Sequence, residues 1–129
     1  MTIFSKIIHG EIPSYKIAEN ENFYAFLDIF PLVEGHVLVV PKVETDHFFD
    51  LSDDYLSGIM VFAKPIAQAI EKVFACNRCG ISVVGLEVPH AHVHVIPINR
   101  ADDMNFANPK LKLTPEDFKA IQEKIIAAL

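Results

Sequence analysis

Residues 90–96 read His-Ala-His-Val-His-Val-Ile. Polar and apolar side chains that alternate at period two belong to a β-strand with one buried face, because successive side chains point to opposite sides of the pleat. The pattern predicts a strand from His92 to Ile98, with Ala91, Val93 and Val95 toward a core. On that geometry the imidazoles of His90, His92 and His94 stand in a row, about 6.8 Å apart, twice the strand rise. Such a strand needs sheet neighbours and a covering layer, and the rest of the chain offers both. Tyr15 to Ala18 and Phe23 to Asp28 flank the turn residues Glu19-Asn20-Glu21-Asn22 and read as an antiparallel hairpin. His36 to Val40 is an apolar, β-branched run closed by Pro41, and Ile81 to Val84 is a further candidate strand. Phe4, Ile7 and Ile8 suit one or two helical turns, which Gly10 and Pro13 stop.

The covering layer is equally legible. Ser52 is a good N-cap, with Asp53 and Asp54 in the first turn behind it. Leu56, Ile59, Met60, Ala63, Ile66, Ala67, Ile70, Val73 and Phe74 then recur at helical spacing, so a long amphipathic helix is expected over 53–74, kinked at Pro65. Thr114-Pro115-Glu116-Asp117 opens a last helix with Phe118, Ile121 and Ile125 as its apolar stripe. The expected class is α+β: about five antiparallel strands with one long helix and a C-terminal helix.

Composition limits the remaining choices. At 129 residues the chain suits a single domain spanning 1–129, and 51% hydrophobic with 22% charged residues excludes a disordered or fibrous chain. A net charge of −6 argues against a nucleic-acid or anionic-membrane partner gripped through a broad basic face. Apolar runs such as Ile59 to Ala63 are too short for a membrane span or a signal-peptide core. Two cysteines cannot build a disulfide framework, so the expected compartment is the cytoplasm. Cys76 and Cys79 form a lone Cys-x-x-Cys, half a zinc site, and read as ordinary residues in a helix-to-strand connection. Glu44, Asp46, Asp50, Asp53 and Asp54 read as a solvated acidic face leading into a helix N-terminus.

Three readings of the histidine row compete. It is a solvated polar face, or a metal site completed by His36 or His47, or a catalytic array. A solvated face would mix Thr, Lys and Glu rather than repeat His. In the catalytic reading one neutral imidazole attacks phosphorus while its neighbours donate hydrogen bonds to phosphoryl oxygens and assist the leaving group.

The row, with Val95-Ile96 after it, resembles the His-φ-His-φ-His-φ-φ signature of the histidine triad (HIT) family. Three other segments resemble that family in the same order: Ile3 to Pro13, Ala25-Phe26-Leu27-Asp28-Ile29, and Gly35-His36-Val37-Leu38-Val39-Val40-Pro41-Lys42. The nearest branch is the nucleotide-binding, Hint-like one. The resemblance implies a HIT-like fold, a homodimer whose two sheets join, and a phosphohydrolase or nucleotidyltransferase needing no metal or cofactor. His92 then matches the nucleophile that forms a nucleotidyl-histidine. His94 matches its phosphoryl-binding partner, and His90 and His36 the supporting histidines. Asp28 matches the carboxylate that takes the ribose hydroxyls, and Ile29, Phe26, Phe4, Ile7 and Ile12 the walls around a purine, although Phe26 suits plain core packing as well.

The implied substrate is a purine nucleoside monophosphate joined to a small leaving group, phosphoramidates first and dinucleoside polyphosphates second. The rival is a nucleotide-binding interaction protein with vestigial activity. Where the family often has Gln and a small hydroxyl before the triad, this chain has Gly85-Leu86-Glu87. Gly85 and Glu87 are therefore expected at the phosphate pocket, with Glu87 pointing outward or favouring a cationic leaving group. Many bacterial relatives carry a zinc-binding Cys-x-x-Cys near the N-terminus; the matching positions here are Thr2 and Ser5, so that zinc is not expected.

Overall fold

The computed structural model describes residues 1–129. In chain order the elements are α1 (Ile3–Ile8), β1 (Lys16–Glu19), β2 (Phe23–Leu27), β3 (Val37–Pro41), α2 (Asp53–Val73), β4 (Arg78–Ser82), β5 (Val93–Ile98) and α3 (Pro115–Ala128), with single 3-10 turns at Phe48–Asp50 and Ala101–Met104. All strand pairs are antiparallel, and the sheet order is β1-β2-β3-β5-β4. In the β1–β2 turn the Asn20 side chain accepts the amides of Asn22 and Phe23, at 2.9 and 2.8 Å.

Strands β2 and β3 are buried on both faces, and their alternation sorts two cores. Phe23, Ala25, Leu27, Val37 and Val39 join Val93 and Val95 of β5 on the face covered by Ile59, Ala63, Ile66 and Ile70 of α2 and by Phe118, Ile121 and Ile125 of α3. Each of those isoleucines contributes about 1.5–3 kcal/mol through burial. The intervening residues Tyr24, Phe26, Leu38 and Val40 pack on the other face against Phe4 and Ile7 of α1. Leu38 is paired across the sheet with His94, so the histidines lie on the α1 face.

Helix caps follow the sequence reading: Ser52 Oγ accepts the Tyr55 amide, and Thr114 and Asp117 form a reciprocal capping box. Helix α2 runs unbroken through Pro65. No helix is long and apolar enough to cross a membrane.

Two expectations need correction. The fourth strand is Arg78–Ser82 rather than Ile81 to Val84, because Arg78 to Ser82 is the stretch whose backbone pairs with Ile98 to His94. Its polar residues are tolerated because β4 is an edge strand. Strand β5 begins at Val93, so the three histidines do not form one regular row. The His90 amide bonds the Val88 carbonyl at 2.8 Å and the Ala91 amide bonds the Thr45 carbonyl at 2.7 Å, which holds the approach in a bend.

Candidate active site

His36, His90, His92 and His94 are the buried histidines of the chain, at 1%, 0%, 7% and 7% exposure. His36 follows Gly35, whose φ of +92° suits glycine and whose added Cβ would meet Phe74 at 2.8 Å. A side chain there would be strained at that φ and would have to displace the Phe74 ring.

Each buried ring has partners that fix its proton. The Leu32 amide donates to His36 Nδ1 at 3.1 Å, so in the neutral ring Nε2 carries the hydrogen. That Nε2–H points at His94 Nδ1, 2.9 Å away, and Asp28 Oδ2 lies 3.5 Å from it. His94 Nδ1 is thereby an acceptor, and its proton sits on Nε2. His92 is arranged the other way. Its Nδ1 is 2.7 Å from the His90 carbonyl, which only accepts, so Nδ1 carries the proton and Nε2 holds a free lone pair. His90 donates from Nε2 to the Pro41 carbonyl at 2.8 Å, leaving Nδ1 to accept the Thr2 hydroxyl at 2.7 Å.

The His92 and His94 rings lie 5.0 Å apart, centroid to centroid. Two adjacent imidazoles, one offering a lone pair and one an N–H, can attack an electrophile and bind its oxygen together. Burial holds both in the neutral form. It pushes His36 down to about 3 and, with His92 beside it, His94 down to about 4. Burial also lowers His92, and the His90 carbonyl and the Glu87 charge act against that shift.

Asp28 closes one end of the site, accepting the Phe30 amide at 2.8 Å. Burial raises its carboxyl to about 6; the Phe30 amide and Lys110 oppose the rise and Glu87 adds to it. Glu87 is solvent-exposed yet close enough for its charge to act on both Asp28 and His92. Gly85, at φ +69°, joins Asp46, His47, Phe48, Val83, Val84, Ala91 and His92 around a cleft of about 80 Å³. Phe4, Ile7 and Phe26 are packed in the α1-side core with Ile12 against them, whereas Ile29 is 55% exposed.

The donors gathered closely enough to share an ion are Asp28, His36 and His94, within 4.8 Å of one another, whereas His47 is exposed on the cleft beside His92. At the N-terminus, Thr2 and Ser5 bring neutral hydroxyls rather than thiolates, and both are spent on hydrogen bonds with Glu44 and His90. That donor set does not fit a structural zinc.

Four contributors escaped sequence reasoning. Phe106 packs edge-on against His94 at 4.7 Å and His36 at 6.3 Å; its only signal was an isolated aromatic in a polar loop after the triad. Thr2 and Ser5 entered the sequence reading only as the positions where relatives carry zinc-binding cysteines, with no hint of a bond to His90. Glu44 is solvent-exposed, as expected of the acidic face, and in addition accepts from the Thr2 amide at 2.5 Å and the Ser5 hydroxyl at 2.8 Å.

This fold and its opposed histidine pair define a class, and comparison with known proteins agrees. Residues 9–101 match the HIT domain model, and the chain belongs to the HIT family, in its Hint-like branch. It is 37% identical over 131 residues to an uncharacterized HIT-like protein of Borreliella burgdorferi, covering 95% of this chain and 94% of that protein. It is 36% identical over 126 residues to an adenosine 5'-monophosphoramidase of Schizosaccharomyces pombe, with 95% and 94% covered. The Saccharomyces cerevisiae protein of the same name is 41% identical over 96 residues, 74% of this chain and 61% of that one. Among solved structures, a HIT-like protein from Bartonella henselae superposes with a TM-score of 0.85 at 29% identity, covering 99% and 96%. A Zn-bound histidine triad protein from Mycobacterium smegmatis gives 0.83 at 29%, covering 98% and 91%.

Proposed function

We propose that this chain hydrolyses conjugates of a purine nucleoside monophosphate, phosphoramidates first, with His92 as the nucleophile. The observation that carries the reading is the pair of opposed tautomers: a lone pair on His92 Nε2 beside an N–H on His94 Nε2. In the first step a bond forms between His92 Nε2 and the α-phosphorus as the bond to the leaving group breaks, and the departing amine takes a proton by way of His94 Nε2–H so that it leaves neutral. His94 Nε2–H donates to the phosphoryl oxygen, and the His90 carbonyl, accepting from His92 Nδ1–H, stabilises the charge the ring gains on attack. Water then cleaves the N–P bond, and the proton it releases replaces the one the amine took. The net change is conjugate plus water to nucleoside monophosphate plus leaving group, with no metal or cofactor given a step.

Asp28 takes the ribose hydroxyls in this reading, Ile29 and Ile12 flank the base, and Phe4, Ile7 and Phe26 back them. Gly85 and Glu87 border the leaving-group side, and the Glu87 charge favours a cationic leaving group. The relatives named adenosine 5'-monophosphoramidase support the substrate class. A second copy of the chain is the expected partner in a cytoplasmic homodimer. The edge strand β4 and the exposed Ile81, Val83 and Val84 at and beyond its end offer a surface for sheet-to-sheet pairing.

The test is release of AMP or GMP from a panel of phosphoramidates and dinucleoside polyphosphates. Preferential turnover of adenosine phosphoramidates is expected. Preference for the dinucleotides would move the substrate class. Tight AMP binding without turnover of any conjugate would make the chain a nucleotide-binding interaction protein.

A further inference from the structure

A chain of hydrogen bonds runs from the surface to the nucleophile through residues the catalytic reading leaves unused. It begins at Glu44, whose Oε1 accepts both the Thr2 amide and the Ser5 hydroxyl, at 2.5 and 2.8 Å. The Thr2 and Ser5 side-chain oxygens are 3.2 Å apart, and the Ser5 amide donates to Thr2 Oγ1 at 3.1 Å as the cap of α1. The Thr2 hydroxyl has one proton and two acceptors in reach, Ser5 Oγ at 3.2 Å and the nearer His90 Nδ1, whose lone pair is free because the Pro41 carbonyl holds the ring proton on Nε2. It gives the proton to His90 Nδ1, 2.7 Å away. His90 is thus anchored at both ring nitrogens while its carbonyl holds His92 Nδ1–H. The same helix carries Phe4, packed edge-on against His90 at 5.7 Å and His92 at 5.0 Å.

We propose that Glu44, acting through Thr2 and Ser5, is a positioning residue for the nucleophile: it docks α1 so that the Thr2 hydroxyl anchors the His90 ring at Nδ1, opposite the Pro41 carbonyl that fixes its tautomer, and His90 in turn holds the His92 ring. Glu44 touches no reacting atom. Its effect on turnover rests on the assignment of His92 as nucleophile, whereas its effect on the His90 ring does not. The same two bonds hold the Glu44 carboxyl below its ordinary range.

The test combines steady-state kinetics with nitrogen-15 NMR of the histidine rings in the full chain. Glu44→Ala is expected to lower kcat about tenfold, the scale seen when a partner behind an active-site ligand is removed. KM should change little, and the His90 Nδ1 resonance should shift to that of a nitrogen without a hydrogen-bond donor, while Nε2 keeps its proton on the Pro41 carbonyl. Glu44→Gln should restore both readouts, because its amide oxygen can accept the same two bonds. Thr2→Val should reproduce Glu44→Ala, and Thr2→Ser should not. If Glu44→Ala fails to fold, the two Thr2 variants decide. If no conjugate is turned over, the ring nitrogens decide, so failure of the catalytic reading stays separate from failure of this one. An unchanged His90 ring in Glu44→Ala or Thr2→Val would overturn the proposal. So would equal losses in Glu44→Gln and Glu44→Ala, which would make charge rather than accepted bonds the cause.

Discussion

His36 and His94 are held as a pair: a backbone amide enters at His36 Nδ1, the proton passes along to face His94, and Phe106 shields both rings. His90 and His92 are held by acceptors instead, the carbonyls of Pro41 and His90. A donor at the start of one relay and acceptors in the other leave opposite ends free, an N–H on His94 and a lone pair on His92. The chemistry of two identical side chains is therefore set by what stands behind them. This also explains why the middle histidine, rather than the most exposed one (His9 and His47 are both on the surface), is the candidate nucleophile.

The largest way to break this contrast is to delete one member of each half. His92→Ala should lower turnover by several orders of magnitude while AMP binding stays nearly intact, as steady-state kinetics and calorimetry would show. His94→Ala removes a donor to a developing charge and should cost about 10²–10³-fold in kcat. A His92→Ala protein that kept most of its activity, beside an inactive His94→Ala, would reverse the two roles.

Acid should weaken the two halves together through stability. In the unfolded chain the histidines protonate near 6.5, while His36 and His94 stay neutral in the folded chain down to about 3 and 4. The unfolded state therefore binds more protons below pH 6.5, and stability falls as pH drops through that window. Asp28 acts oppositely: its folded value is raised from 3.8 to about 6, so acidification relieves a penalty. The net loss between pH 7 and 5 is about 2 kcal/mol. Denaturant titrations should record that loss, and Asp28→Asn should steepen it. A flat profile would mean that the rings are charged in the folded chain.

The smallest effect concerns the leaving-group side. Glu87→Ser should raise kcat/KM several-fold on adenosine phosphoramidates with neutral leaving groups and flatten any preference for cationic ones, an effect that salt should diminish. No change in either series would place the Glu87 charge outside the reaction's reach.

Much of this was legible in the sequence because it is periodic. The two-residue alternation placed Val93 and Val95 in the core, and the helical spacing of Ile59, Ile66 and Ile70 placed α2 over them. The fold brings the motif residues His36, His92 and His94 into one cluster. What failed depends on partners distant along the chain. The bend at His90 is imposed by Thr45 and Val88, and the register of β4 by β5. Phe106 sits in a loop with no period, and Glu44 looked like one more surface acid until the fold carried it to Thr2 and Ser5, more than 38 residues away.

The opposed tautomers are the centre of this account, and ring-nitrogen NMR on histidine-labelled protein near neutral pH reads them directly. His36 and His94 should each show a protonated Nε2 and a bare Nδ1, and His92 the reverse, with its proton on Nδ1. A His92 ring protonated at Nε2 would leave no lone pair for the phosphorus and would contradict the account.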